Sequence, residues 1–176
     1  MKKTELAIVD ALTEAEAQQM AKLAASERNR LMVLTLFYSA LRKAEVLSLT
    51  PDNLLPNNNI RVVTKGKKGH EVGMPGWLME ELRAHIRANR IAKGQRLFEI
   101  SPVTAWAIIK SLGRKMGKDV YPHLLRHSRA LDLAEKTNRE SIVQRHLGHR
   151  SPETTAIYFR FLEERKAAEV VKKLNE

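Results

Sequence analysis

Apolar residues return every three or four positions along most of this chain, and in one stretch only they alternate. Thr13-Glu14-Ala15-Glu16 has the form of a capping box, in which a threonine hydroxyl and a glutamate three residues on satisfy each other's end amides. It predicts a helix running to about Ser26. A second, more apolar helix is predicted from about Glu27 to Ser39, with Leu31, Leu34, Tyr38 and Leu41 at helical spacing, and a short one from Lys43 to Ser48. Pro51-Asp52 and Pro56-Asn57-Asn58-Asn59 mark turns. The period then shortens: Ile60 to Thr64 and His70 to Met74 read as strands around a turn, Lys65-Gly66-Lys67-Lys68-Gly69. Helical spacing returns from Trp77 to about Arg90. Ser101-Pro102, a cap followed by a first-turn proline, opens a helix that ends near Gly117. Two more cover His123 to Lys136 and Arg139 to His146, and Ser151-Pro152-Glu153 starts the last, which carries Tyr158. Beyond Glu163, Ala167, Val170, Val171 and Leu174 form a narrow apolar stripe on a charged helix. The expectation is one mainly α domain, residues 1–176, with a small antiparallel β-hairpin.

Composition narrows the class. A chain of 176 residues with 43% hydrophobic content suits one soluble domain. No apolar run approaches the ~18–20 residues that span a bilayer, and Met1 to Thr13 lacks a signal-peptide pattern, so no membrane association is expected. With no cysteine, disulfides and thiolate metal sites are excluded and a cytoplasmic setting is the natural reading. Charge is more telling, because the formal +11 is unevenly spread. Residues 1–60 carry seven basic and seven acidic side chains, residues 61–118 thirteen and four, and residues 119–176 eleven and nine. A positive middle third suits a polyanion such as double-stranded DNA. A ribosomal or chromatin-packing protein fits this charge equally well.

Four short stretches carry candidate chemistry, and their order and spacing matter more than any one of them. Ala40-Leu41-Arg42-Lys43-Ala44-Glu45-Val46 puts an arginine at a helix start; the hairpin turn offers Lys65. His123-Leu124-Leu125-Arg126-His127-Ser128 sets a histidine and an arginine three apart on one helix face. Leu147-Gly148-His149 precedes Tyr158 by nine residues. Together they resemble the boxes of the tyrosine recombinases, the phage-integrase and Xer-like family, from about Thr13 to Phe161. Two positions depart from that pattern: His146 where a leucine commonly precedes the Leu-Gly-His box, and Arg129 where an aromatic residue is usual. The family's separate N-terminal DNA-clamping domain is expected to be absent, since some twelve residues precede the first capping box.

The resemblance implies the mainly α catalytic fold of that family, with a hairpin or three-stranded sheet on one edge. It implies metal-free and ATP-independent transesterification, with no cofactor, by a homo-oligomer, a tetramer on DNA. Tyr158 would be the nucleophile, forming a 3′-phosphotyrosine, although a tyrosine on a late helix is by itself more often packing. Arg42 and Arg126 can clamp non-bridging phosphate oxygens bidentately, the plain alternative being a surface pair with Glu45. His149 can donate to a phosphate oxygen, and His123 can do the same or exchange a proton with the nucleophile. Lys65 would protonate the leaving 5′ oxygen, with Lys67 and Lys68 as rivals or simple phosphate contacts. Glu45 is expected to hold an arginine or a helix start. Zinc is a weak alternative: His123, His127, His146 and His149 have suggestive spacings, but there are no cysteines and no His-Glu-x-x-His. A type IB topoisomerase and a non-enzymatic DNA-binding protein remain as other readings.

Overall fold

In a computed structural model of the chain, residues 10–62, 69–149 and 151–174 are described. They form eight α-helices and one hairpin: α1 (Glu14–Lys22), α2 (Glu27–Ser39), α3 (Lys43–Leu47), β1 (Asn59–Val62), β2 (His70–Gly73), α4 (Gly76–Ala88), α5 (Pro102–Lys115), α6 (Pro122–Thr137), α7 (Glu140–Leu147) and α8 (Glu153–Leu174), with a 3₁₀ turn at Pro51–Asn53.

Local chemistry sets the boundaries. At α1, Thr13 Oγ1 accepts from the Glu16 amide at 3.2 Å while Glu16 Oε2 accepts from the Thr13 amide at 2.8 Å, the expected reciprocal box. The helix stops at Lys22, short of the expected Ser26, because Ser26 caps the next one, its hydroxyl accepting from the Asn29 amide. Ser101 caps α5 in the same way, through the Thr104 amide.

Helix α2 is buried continuously from Leu31 to Ser39, the mark of a central helix rather than a surface one. Helices α1, α4 and α6 pack around it. The strands pair antiparallel with Ile60 opposite Val72 and Val62 opposite His70, and Ile60, Val62 and Val72 turn into the core. A single bridge, Leu54 to Ile60, stands where a third strand was the other expectation.

Two apolar clusters result. The larger joins α1 to α5, the hairpin and the start of α6; the smaller, Ala40, Ala130, Leu131, Ala134, Val143, Leu147, Tyr158 and Leu162, lies beneath α6, α7 and α8. The end of α8 leaves this core: Val170, Val171 and Leu174 face solvent and do not fold back on their own domain. Among the described residues no helix is long and apolar enough to cross a membrane.

Candidate active site

An open cleft of about 1110 Å³ lies along the seam between the two clusters. Its lining draws on four separate parts of the chain: Arg42 and Glu45 from α3, His123, Arg126 and His127 from α6, Gly148 and His149 after α7, and Tyr158 from α8. The hairpin adds Gly69 and His70. Lys65, Lys67 and Lys68 lie outside the described residues.

The two arginines sit very differently. Arg42 is the N-cap residue of α3, where its backbone amide donates to Glu45 Oε2 at 2.7 Å and its guanidinium meets Glu45 Oε1 at 3.4 Å. The side chain remains 59% exposed, so Glu45 steadies it without covering it. Arg126 is 3% exposed and bridges two helix ends, with Nη1 donating to the Ala40 carbonyl and Nη2 to the Leu147 carbonyl at 2.9 Å. Both carbonyls lie at helix C-terminal ends, where backbone acceptors lack intrahelical partners and the dipole favours a cation. Burial, with Arg42 nearby, lowers its pKa, and a guanidinium starting that high stays charged.

The turn after α7 aims His149. Gly148 adopts φ +63°, in the left-handed region, which ends the helix and redirects the chain. The His149 amide then donates to the Gln144 carbonyl at 3.1 Å, and Nδ1 lies 3.0 Å from Thr155 Oγ1. Burial, followed by the Arg126 and Arg42 charges, pushes the imidazole down to about 4, so it is neutral near pH 7. When the Thr155 hydroxyl donates to Nδ1, the other ring nitrogen carries the proton and is a donor.

Tyr158 is 2% exposed, and its hydroxyl lies 2.8 Å from His127 Nδ1. Burial, opposed by Arg126, pushes the phenol up to about 12. His127 is driven down to about 4 by burial and the neighbouring His123, Arg126 and His149. Both groups are therefore neutral, and the phenol finds its acceptor when it donates to an unprotonated Nδ1. His123 reaches solvent, its ring edge-on to His127 with centroids 4.5 Å apart; packing around it and the two arginines lower its pKa. The sequence boxes assign His127 no role, yet it is the residue that touches the Tyr158 hydroxyl. The available signal was its i, i+4 relation to His123 within one box.

The two departures noted in the sequence meet at Tyr38. Arg129 stacks over the Phe37 and Tyr38 rings, 5.8 and 5.2 Å from their centroids, and pairs with Asp132. His146 Nε2 donates to the Tyr38 carbonyl at 3.0 Å. Of the four histidines, His123, His127 and His149 line the cleft and His146 does not. Among the described residues no three potential ligands are grouped to hold a metal ion. Tyr38 itself is core, its hydroxyl donating to Glu14 Oε1 at 2.7 Å.

Comparison with known proteins agrees with this architecture. The chain is 34% identical over 162 residues to tyrosine recombinase XerA of Pyrococcus furiosus, covering 85% of this chain and 56% of that protein. It is 33% identical over 176 residues to XerA of Thermococcus kodakarensis, covering 92% and 62%. The chain thus spans little more than half the length of the relatives it matches. A crystal structure of XerA recombinase superposes with a TM-score of 0.76 at 26% identity, covering 90% of this chain and 62% of the other. XerH recombinase bound to its difH substrate in a pre-cleavage complex gives 0.75 at 25% identity, covering 90% and 52%. Residues 10–165 match the phage integrase family, and with these relatives the chain belongs to that family, the tyrosine recombinases.

Proposed function

We propose that this chain is the catalytic domain of a site-specific DNA recombinase that cuts and rejoins strands through Tyr158. The observation that carries the reading is the convergence in one cleft of Arg42, Arg126, His123, His127, His149 and Tyr158 from distant parts of the sequence. Attack on a phosphodiester builds negative charge on the non-bridging oxygens. Arg42, free on its outer side, and Arg126, fixed between two helix ends, clamp that charge, and His149 donates to one of the oxygens.

The Tyr158 oxygen forms a bond to phosphorus as the bond from phosphorus to the 5′ oxygen breaks, leaving a 3′-phosphotyrosine. As the new bond forms the phenol loses its basicity, and its proton passes along the existing hydrogen bond to His127, with His123 beside it to carry the proton to solvent. Lys65 delivers a proton to the departing 5′ oxygen. Lys67 and Lys68 contact flanking phosphates, and Glu45 holds Arg42. A 5′-hydroxyl from a partner strand reverses the step, so neither ATP nor a metal is required. The partner is double-stranded DNA, and the working unit is a homo-oligomer, a tetramer on two duplexes. The exposed Val170, Val171 and Leu174 supply an apolar contact for a second copy.

The test is incubation with nicked duplexes tiled across the DNA beside its gene, in EDTA, followed by denaturing gels. A covalent protein–DNA adduct at one sequence is expected. Cleavage that EDTA abolishes and Mg²⁺ restores sinks the reading. Relaxation of any supercoiled plasmid without site preference assigns a topoisomerase instead.

A further inference from the structure

The catalytic corner is held by a residue outside the boxes that define it. His70 opens β2, on the hairpin, yet its Nε2 lies 3.0 Å from the carbonyl oxygen of His146, in the last turn of α7. A carbonyl accepts, so Nε2 carries the proton. The ring also lies flat against Gly148: a Cβ there would come within 3.1 Å of Nε2, 3.2 Å of Cε1 and 3.3 Å of Cδ2. Gly148 is thus fixed twice over, by its φ of +63° and by the ring filling the space beside it.

Consecutive carbonyls at the end of α7 take donors from two different elements. His146 O accepts from His70, and Leu147 O accepts from Arg126. At the end of α2, two nearby carbonyls are also taken by side chains from other elements: Tyr38 O accepts from His146 and Ala40 O from Arg126. The hairpin, α2, α6 and α7 are therefore laced at one point, and His149 leaves from it.

We propose that His70 is a positioning residue for the phosphate-binding corner. Its bond to His146 O and its ring against Gly148 fix the direction in which His149 leaves α7 and the carbonyl on which Arg126 rests. The inference rests on the recombinase reading only for its effect on the reaction. A ring misaimed by an ångström loses a large part of its benefit to the transition state.

The test uses three variants of the full chain. His70→Ala removes donor and ring; His70→Phe keeps a ring but no donor; His70→Gln places an amide N–H the same number of bonds from the backbone. The first readout needs no DNA: the ring resonances of His149, by ¹⁵N and ¹³C NMR, should shift or broaden in the Ala and Phe variants and return in Gln. The second is the rate of adduct formation on a nicked site. It should fall about tenfold or more in Ala and Phe with DNA affinity within about twofold, and recover to within about threefold in Gln. Unmoved His149 resonances in a folded His70→Ala protein, an unchanged adduct rate, or no rescue by Gln overturns the proposal. If the wild type forms no adduct while the resonances behave as expected, the recombinase reading fails and the clamp stands.

Discussion

The Tyr158 hydroxyl donates a 2.8 Å hydrogen bond to His127 Nδ1, and the two rings are 2% and 6% exposed. The phenol is pushed up to about 12 and the imidazole down to about 4, so in the resting protein the proton stays on oxygen. The bond therefore orients the phenol without ionising it.

His127→Phe keeps an aromatic ring but leaves the buried hydroxyl without an acceptor. An orphaned buried group costs about 1–3 kcal/mol, so the thermal midpoint should drop by several degrees. Adduct formation should slow by about 10²-fold or more, the lower end of what a positioned proton acceptor contributes. Unchanged cleavage by a folded His127→Phe protein would move the proton acceptor elsewhere, His123 being the next candidate.

The two arginines should separate chemistry from stability. Among the described residues the Arg42 side chain hydrogen-bonds only to Glu45 and is 59% exposed, so Arg42→Ala should leave the melting temperature nearly unchanged. It should still cut cleavage by about 10²–10³-fold, because positive charge is lost where negative charge develops. Arg126→Ala should lose both, since it also strips the Ala40 and Leu147 carbonyls of their donor, at about 1–3 kcal/mol each. Calorimetry and single-turnover cleavage of the pair give the comparison; equal stability losses would contradict the bridging role of Arg126.

Much of this was legible because helix ends are written locally. The Thr13 box, Ser26-Glu27 and Ser101-Pro102 each satisfy end amides with side chains a few residues away, and the structure starts helices at all three. The first helix overshot in the sequence because one serine was read as an end when it is the next beginning. The boxes likewise named Arg42, His123, Arg126, His149 and Tyr158, which line the cleft. What they do not encode is which way neighbouring side chains point. His123 faces outward and His127 inward because α8 lies across one side of α6, a tertiary relation between distant segments. Arg129 and His146 looked like isolated departures for the same reason, and become intelligible at Tyr38, where both end.

Acid should weaken the fold before the carboxylates titrate. His127, His146 and His149 are each pushed down to about 4 from an ordinary 6.5, chiefly by burial. Between those values the unfolded chain binds more protons than the folded one, so stability is full above about pH 6.5 and falls as pH drops toward 4. The lowered Glu14, Glu27 and Glu71 add their loss only below about 4.5. The melting temperature should be about 5 °C or more lower near pH 5 than near pH 7.5. His146→Leu removes one of the three titrations and should narrow that gap, whatever its effect on the absolute midpoint. A gap as wide as in the wild type would show that His146 does not contribute.

Deleting the chain from Lys166 onward removes the exposed Val170, Val171 and Leu174 while leaving Tyr158 and Leu162 in their cluster. The truncated protein should keep its melting temperature and its affinity for a single site, but should assemble poorly on paired sites. Gel mobility of the complexes distinguishes the two. Normal assembly would leave the end of α8 as an ordinary solvated helix.

The nucleophile has only three candidates, because Tyr38, Tyr121 and Tyr158 are the only tyrosines. Tyr38 is core, with its hydroxyl tied to Glu14 and Gln18, and Tyr121 is a half-buried ring beside Lys110. Neither lines the cleft that holds the arginines; Tyr158 does. Tyr158→Phe removes one oxygen and keeps the buried ring, whose packing contributes roughly 1.5–3 kcal/mol. The variant should fold and should bind DNA like the wild type. It should form no covalent adduct, because in-line attack needs an oxygen at that place and no other side chain can supply one. Mass spectrometry of a trapped wild-type adduct, after nuclease digestion, should find the nucleotide on the peptide containing Tyr158. A nucleotide on Tyr38, Tyr121 or a serine would refute the assignment, and so would an adduct that survives in Tyr158→Phe.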